Sequence, residues 1–383
     1  MIERLLSVRS RSIDSSGIRK VFDLGTKMQD PINLSIGQPD FPVSEAMKEA
    51  AIAAIRENKN GYTVTQGIPQ LLEAVRQRLE HDFGSGWSTT NANHSAVITS
   101  GTSGGILLAL MSILDSGDEF ISPDPYFVMY PQVGKLLSAH CVLCDTYPDF
   151  RMTAARVEPL ITERTKAVLL NSPSNPCGTV LTAKEIAELV QLCERRGVLL
   201  ISDEIYDEFC FSDARENGLC PSPGRISNNC LIIRGFGKTH GCTGWRLGYA
   251  AGPAPLIQEM AKLQQSTFVC APSPLQWGVV PSFQENLSSV LKEYEGRRQM
   301  VLDAFSGVTN VTRPGGAFYA FIEVPTKLNL TAVHFVEQAI AKRVLIIPGS
   351  VFSHRDTHFR LSFAASRAKL SEGLGILRDL MTK

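Results

Sequence analysis

The chain has 383 residues, 44% of them hydrophobic, with 38 Lys plus Arg against 38 Asp plus Glu. That length fits about two or three domains with a substantial core, which excludes wholesale disorder. The zero net charge leaves no global field for nucleic acid or an anionic membrane.

Nine cysteines, an odd number in a chain this long, read as free thiols of a reducing compartment rather than a disulfide framework. The N-terminus, MIERLLSVRSRSID, has the Arg and Ser of a transit peptide, but also Glu3, Asp14 and no apolar segment. The most apolar run, 104–114, is about half the ~20 residues of a spanning helix. A soluble cytosolic protein is expected.

In chain order, residues 96–99 (AVIT) predict a buried strand and 105–114 the helix after it. A strand at 119–122 is expected to end at Pro123 and Pro125. Another follows at 140–144, and one at 167–170 (AVLL) runs into a Pro/Asn/Gly turn. Residues 182–196 predict a helix, with Thr182 as N-cap, Glu185 three positions on and Gly197 as the stop. Strands follow at 198–202 (VLLIS) and 231–233. Continuously apolar strands alternating with amphipathic segments predict an α/β fold with a largely parallel sheet covered by helices. The C-terminal third predicts a smaller α+β unit: a long charged helix over 285–305, strands at 317–323, 344–347 and 359–363, and a closing helix at 369–381. No Ser/Gly linker separates the two parts, so they are expected to pack together.

Unusual residues gather at strand exits, where open α/β sheets bind ligands. Residues 100–105 read SGTSGG, either a plain Gly-rich turn or exposed amides that seat a phosphate. It is not a P-loop, because no Lys-Ser/Thr follows the glycines. Residues 171–178 read NSPSNPCG, a turn whose prolines restrict the residues before them and could present Asn175. In VLLISDEIY, 198–206, the acid at the strand end either caps a helix or faces a ligand. Residues 235–249 read GFGKTHGCTGWRLGY. A Lys in such a tight, partly dehydrated turn becomes a usable nucleophile. Arg246, eight positions on, supplies a planar charge for phosphate or carboxylate.

Together these segments resemble the class I/II aminotransferases, the pyridoxal 5′-phosphate (PLP) enzymes with the aspartate aminotransferase fold, PLP fold type I. The resemblance spans LSIGQPDF at 34–41, Tyr62 with TQGIPQLLEAV, ITSGTSGGI at 98–106 and PDPYFVMY at 123–130. It continues through NSPSNPCG, SDEIY and GFGKTHGCTGWRLGY to RPGGAFY at 313–319, IIPGSVF at 346–352 and FRLSFAAS at 359–366. The N-terminal SVRSRS and SSGIRK also resemble the family's usual start.

The resemblance implies a large PLP domain near 45–280 and a small domain from 1–44 and 281–383, with the site in the cleft between them. It implies a transaminase that moves an amino group from an amino acid to a 2-oxo acid by a ping-pong mechanism. Lys238 matches the lysine that forms the internal aldimine and carries the proton. Asp203 matches the partner of the pyridine nitrogen, which it keeps protonated through a charge-assisted hydrogen bond. Tyr206 and Asn175 match the hydrogen-bond partners of the phenolic oxygen. Arg246, Thr102 and Ser103 match the phosphate seat, and Phe127 the aromatic stacked on the ring. Tyr62 matches a tyrosine that reaches the phosphate of a neighbouring subunit, which implies a homodimer. Arg360 matches the grip on the substrate α-carboxylate, and Gly37 a loop lying over the substrate.

Four departures stand out: Gly235 where a hydroxyl is frequent, His240 where an aromatic is common, Cys242 at an apolar position, and Ser44 for a frequent proline. The alternatives are a PLP-dependent lyase or synthase on the same fold, and a non-catalytic sensor domain. Cys141 and Cys144 form one CxxC without the further ligands a zinc site needs. His354 and His358 read as loop residues, and the charges of 292–298 as a solvated helix face. No metal is expected.

Overall fold

A computed structural model describes residues 2–14, 17–88 and 91–382, without the side chains of 19, 20 and 22; the Ser15–Ser16 part of the N-terminal motif lies outside the described residues. Its strands are β1 Ile32–Asn33, β2 His94–Thr99, β3 Glu119–Asp124, β4 His140–Asp145, β5 Thr165–Asn171 and β6 Leu199–Asp203. They continue as β7 Leu231–Gly235, β8 Gly248–Pro253, β9 Tyr319–Glu323, β10 Val344–Leu345, β11 Ile347–Pro348 and β12 His358–Ser362.

A seven-stranded sheet in the order β2-β8-β7-β6-β5-β3-β4 forms the centre. Its pairs are parallel except for the two made by β8. Both faces are buried, and successive side chains alternate between them. On β5, Ala167 and Leu169 enter one core, and Val168 and Leu170 the other. That double burial explains the unbroken apolar runs.

β8 is absent from the expected elements. Its sequence, GYAAGP, has little of the β-branched character that marks a strand. β3 runs through Pro123 instead of stopping before it. Pairing with β5 ends at Ile121, while Pro123 lies opposite Cys144 of β4. Beyond Ile121 the strand has one hydrogen-bonded side, where a missing N–H is tolerated.

The expected helix at 182–196 forms as Ala183–Arg196. Thr182 and Glu185 make a complete capping box, and Gly197 closes the helix with φ 65°. The helix expected from 105 begins at Gly101, directly at the end of β2, so Thr102 and Ser103 occupy its first turn.

β9, β11 and β12 form an antiparallel sheet, and β1 pairs parallel with β10. The single strand expected at 344–347 is therefore two, because the chain changes sheets at Ile346. Helices Ser288–Phe305 and Arg367–Thr382 cover this region around a third core containing Ile32, Leu34, Phe318 and Phe359. The charged helix begins at Ser288, not 285; Glu285 lies before it and bonds Ser44 and His240. Its Arg297 and Arg298 are buried, which corrects the solvated-face reading. They pair with Asp40 and Asp213, respectively. His358 opens β12 and stacks on Phe321, so it is not a loop residue. No helix among the described residues is long and apolar enough to cross a membrane.

Candidate active site

A cavity of about 280 Å³ opens at the carboxyl ends of the central strands. The β2 exit supplies Thr102 and Ser103; the segment after β3 supplies Phe127 and Tyr130. β5 leads to Asn171 and Asn175, β6 to Asp203 and Tyr206, and β7 to Lys238. Arg246 precedes β8. Gly37, Tyr319 of β9 and Arg360 of β12 close the other side. Ten of the residues singled out in the sequence thus line one cavity. Tyr62 does not: it is 87% exposed on its own chain.

Asp203 is fully buried, with Tyr130 Oη donating to Oδ2 at 2.7 Å and Ile205 N to Oδ1 at 3.3 Å. Asn171, opposite it in register, donates to its carbonyl at 3.0 Å and accepts from Asn175 N at 2.8 Å. Burial raises the Asp203 carboxyl to about 6, with the neighbouring Glu204 charge adding to the rise. Glu204 instead bonds Arg234 at 2.9 Å, within a buried network that includes Asp82 and Asp207. This network ties β6, β7 and the helix Pro69–Phe83 together behind the cavity.

Lys238 sits on the short helix Phe236–Thr239 and donates to the Gly37 carbonyl. Burial lowers its ammonium to about 8, with the charges of Arg360 and Arg246 acting in the same direction. Arg360 is held between the rings of Tyr319 and Phe352, at 4.6 and 4.7 Å. It donates to Asn175 Oδ1 at 3.0 Å and Ser35 O at 2.7 Å, while its buried Nε has no partner among the described residues. Arg246 adopts a left-handed backbone, φ 54°, at the cavity rim. Such strain in a non-glycine residue is characteristic of functional sites.

Among the described residues, none of the three cavity cations, Lys238, Arg246 and Arg360, forms a salt bridge, and neither does Asp203. Asp203 and Arg360 are buried, Lys238 is half-buried and Arg246 is exposed at the rim; for the first two, uncompensated buried charge is costly. The arrangement suits ligands carrying two anionic groups and one protonated ring nitrogen, together with a carbonyl carbon open to an amine. PLP and the carboxylate of an amino acid have those features.

The sequence departures acquire local causes. A Cβ on Gly235 would lie 2.8 Å from Ile205 Cδ1 and 3.0 Å from Thr102 Cγ2, so a hydroxyl residue would need both to move. Ser44 caps the helix Glu45–Arg56, His240 bonds Glu285 at 2.9 Å, and the buried Cys242 thiol faces Phe236 O. At Gly37 a Cβ would strike Tyr319 Oη, so a side chain there would require the tyrosine or the loop to move. Tyr130, Asn171 and Tyr319 were not singled out in the sequence. Tyr130 and Tyr319 end the PDPYFVMY and RPGGAFY motifs, and Asn171 opens NSPSNPCG. Their side-chain directions are fixed only by folding.

The family model "Aminotransferase class I and II" matches residues 29–377. A "Probable aspartate aminotransferase" of Methanocaldococcus jannaschii is 31% identical over 386 residues, 98% of this chain and 100% of that protein. The "Aromatic-amino-acid aminotransferase 2" of Thermococcus litoralis is 30% identical over 98% of both chains. The solved aspartate aminotransferase of Thermus thermophilus with maleate is 30% identical, with a TM-score of 0.90 over 98% of this chain and 99% of that one. These similarities favour transamination over the lyase and sensor alternatives. The chain belongs to the class I and II aminotransferases and is a transaminase that uses pyridoxal 5′-phosphate.

Proposed function

We propose that the cavity holds PLP between Lys238, Asp203 and Arg246 and takes an amino acid by its carboxylate at Arg360. The observation carrying this assignment is the set of cavity charges that have no counterion among the described residues. Bound there, PLP would supply an electron sink for the substrate Cα. The chain's residues do the remaining work. Asp203 accepts a hydrogen bond from the ring nitrogen and keeps it protonated. Tyr206 and Asn175 donate to the phenolic oxygen, and Phe127 packs on the ring. Arg246 and the first turn at Thr102 and Ser103 receive the phosphate, where free helix amides favour an anion. Lys238, with its ammonium lowered to about 8, gives up its proton more readily than an ordinary lysine and moves the proton at Cα. Arg360 fixes the carboxylate by paired, charge-assisted hydrogen bonds, and Gly37 leaves space beside Tyr319. The donor would leave as its 2-oxo acid, with its amino group retained at the site, before a second 2-oxo acid enters and takes that group, a ping-pong cycle.

This subunit's share of the wall favours an amino acid with an uncharged side chain. With Lys238, Arg246 and Arg360 assigned, the described side chains of the cavity wall include no further cation, while Ile18, Tyr130, Ile205 and Leu247 supply apolar surface. Release of 2-oxo acid from a panel of donors tests this. Neutral and aromatic donors are expected to exceed aspartate; an aspartate preference would contradict it.

The division into domains at 45–280 and at 1–44 with 281–383 is part of the same reading, as are a cytoplasmic location and a homodimer. Buried amides support the homodimer. Gln264 Nε2 donates to Thr65 O and Ile98 O, and Gln276 bonds Thr63, Ile68 and Ala271. The base of the Tyr62 loop is therefore fixed, although Tyr62 and Val64 are exposed. A fixed loop with exposed apolar tips suits a second subunit, with Tyr62 completing its phosphate seat. Mixing inactive Lys238→Ala and Tyr62→Ala subunits should regenerate one intact site per mixed dimer. Activity no greater than the sum of the parents would reject shared sites.

A further inference from the structure

Tyr206 and Tyr319 come from opposite sides of the cavity, and their hydroxyls lie 2.9 Å apart. Both are buried, with rings edge to face at 5.7 Å and 89°. A phenol has one proton and two lone pairs. In such a pair, one hydroxyl donates its proton to the other, and the acceptor keeps its own for a third group. The Arg360 guanidinium lies over the Tyr319 ring at 4.6 Å. A cation on a ring face withdraws electron density and makes its hydroxyl the better donor. Burial raises both hydroxyls, and the Arg360 charge is the leading opposing effect on Tyr319.

We infer that Tyr319 is a positioning residue, donating to Tyr206 so that the Tyr206 hydroxyl proton is turned toward the cofactor. This rests on the reading that Tyr206 faces the cofactor's phenolic oxygen. The other titratable groups around the pair are Asp203 beside Tyr206, Tyr130 on Asp203, Lys238, and Arg360 against Tyr319. The Gly37 constraint belongs to the same device. A side chain there would strike the Tyr319 hydroxyl and break the tyrosine pair.

The test is a pH titration of the visible absorbance of the PLP-loaded enzyme. Donation to the phenolic oxygen disperses its negative charge and weakens its hold on a nearby proton. Loss of a donor therefore raises the chromophore's apparent pKa. Tyr206→Phe should raise it most. Tyr319→Phe keeps the ring over Arg360 and should raise it by about 0.3–1 pH unit, the scale of one neutral hydrogen bond. The double variant should match Tyr206→Phe alone. An unshifted Tyr319→Phe, or additive shifts in the double variant, overturns the inference while Tyr206 keeps its role. No shift in Tyr206→Phe overturns both. As a second perturbation, 3-fluorotyrosine at position 319 is a stronger donor and should move the chromophore the other way; an unchanged titration there also counts against the inference.

Discussion

Replacing Asp203 by Asn should make the cofactor-free protein more stable while impairing the holoenzyme. The folded-state pKa of Asp203 is raised from 3.8 to about 6 by burial. A carboxyl raised on folding contributes most below its unfolded value, and that contribution is lost as pH rises through the folded value. The gap is roughly two units, or roughly 3 kcal/mol at about 1.4 kcal/mol per unit. Nearly all of that cost is present at pH 8 and about half at pH 5. The substituted amide would still meet Tyr130 Oη and Ile205 N without carrying the charge. Urea unfolding of the cofactor-free proteins should show the variant gaining about 1–3 kcal/mol at pH 8, with a smaller gain at pH 5. Asp207, also raised to about 6, is present in both proteins and cancels in the comparison. PLP affinity and turnover should fall in the variant. Parallel pH–stability profiles for the two proteins would refute the argument that this carboxylate is held uncompensated.

Three further outcomes follow from individual contacts. Arg360→Lys removes the paired geometry and should lower kcat/KM about 10- to 100-fold for an amino acid while leaving PLP affinity unchanged; an equal loss of PLP affinity would contradict the assigned role. Gly37→Ala places a methyl against Tyr319 Oη and should lower stability by about 1–3 kcal/mol, together with substrate affinity; unchanged unfolding and KM would show that the loop simply yields. Thr182→Ala breaks the capping box at Ala183–Arg196 and should cost about 1 kcal/mol in urea unfolding at unchanged kcat, since the helix lies away from the cavity.

Local chemistry made much of this molecule legible in its sequence. Thr182, Glu185 and Gly197 define a helix that forms as read, because caps satisfy backbone groups within a few residues. Runs such as AVLL and VLLIS mark strands because both sheet faces are buried. Lys238 and Asp203 were legible as charges at strand exits, and Arg360 through the FRLSFAAS motif it shares with the family. Features set by distant partners were less visible. β8 is a strand because β2 and β7 flank it, although its glycines and alanines do not announce one. Arg297 and Arg298 look solvent-facing until Asp40 and Asp213 arrive from elsewhere in the chain. Tyr319 resembles an ordinary core aromatic until folding brings its hydroxyl to Tyr206. The buried amides of Gln264 and Gln276 became meaningful only once the Tyr62 loop was seen resting on them.

Borohydride reduction of the PLP-loaded protein, followed by peptide mass mapping, most directly tests whether these charges surround a cofactor joined to this chain. The expected result is one pyridoxyl mass on the Lys238 peptide, lost in Lys238→Ala along with the absorbance of the lysine aldimine. A tag on another lysine, or no tag on a protein that still transaminates, would contradict the placement of the cofactor.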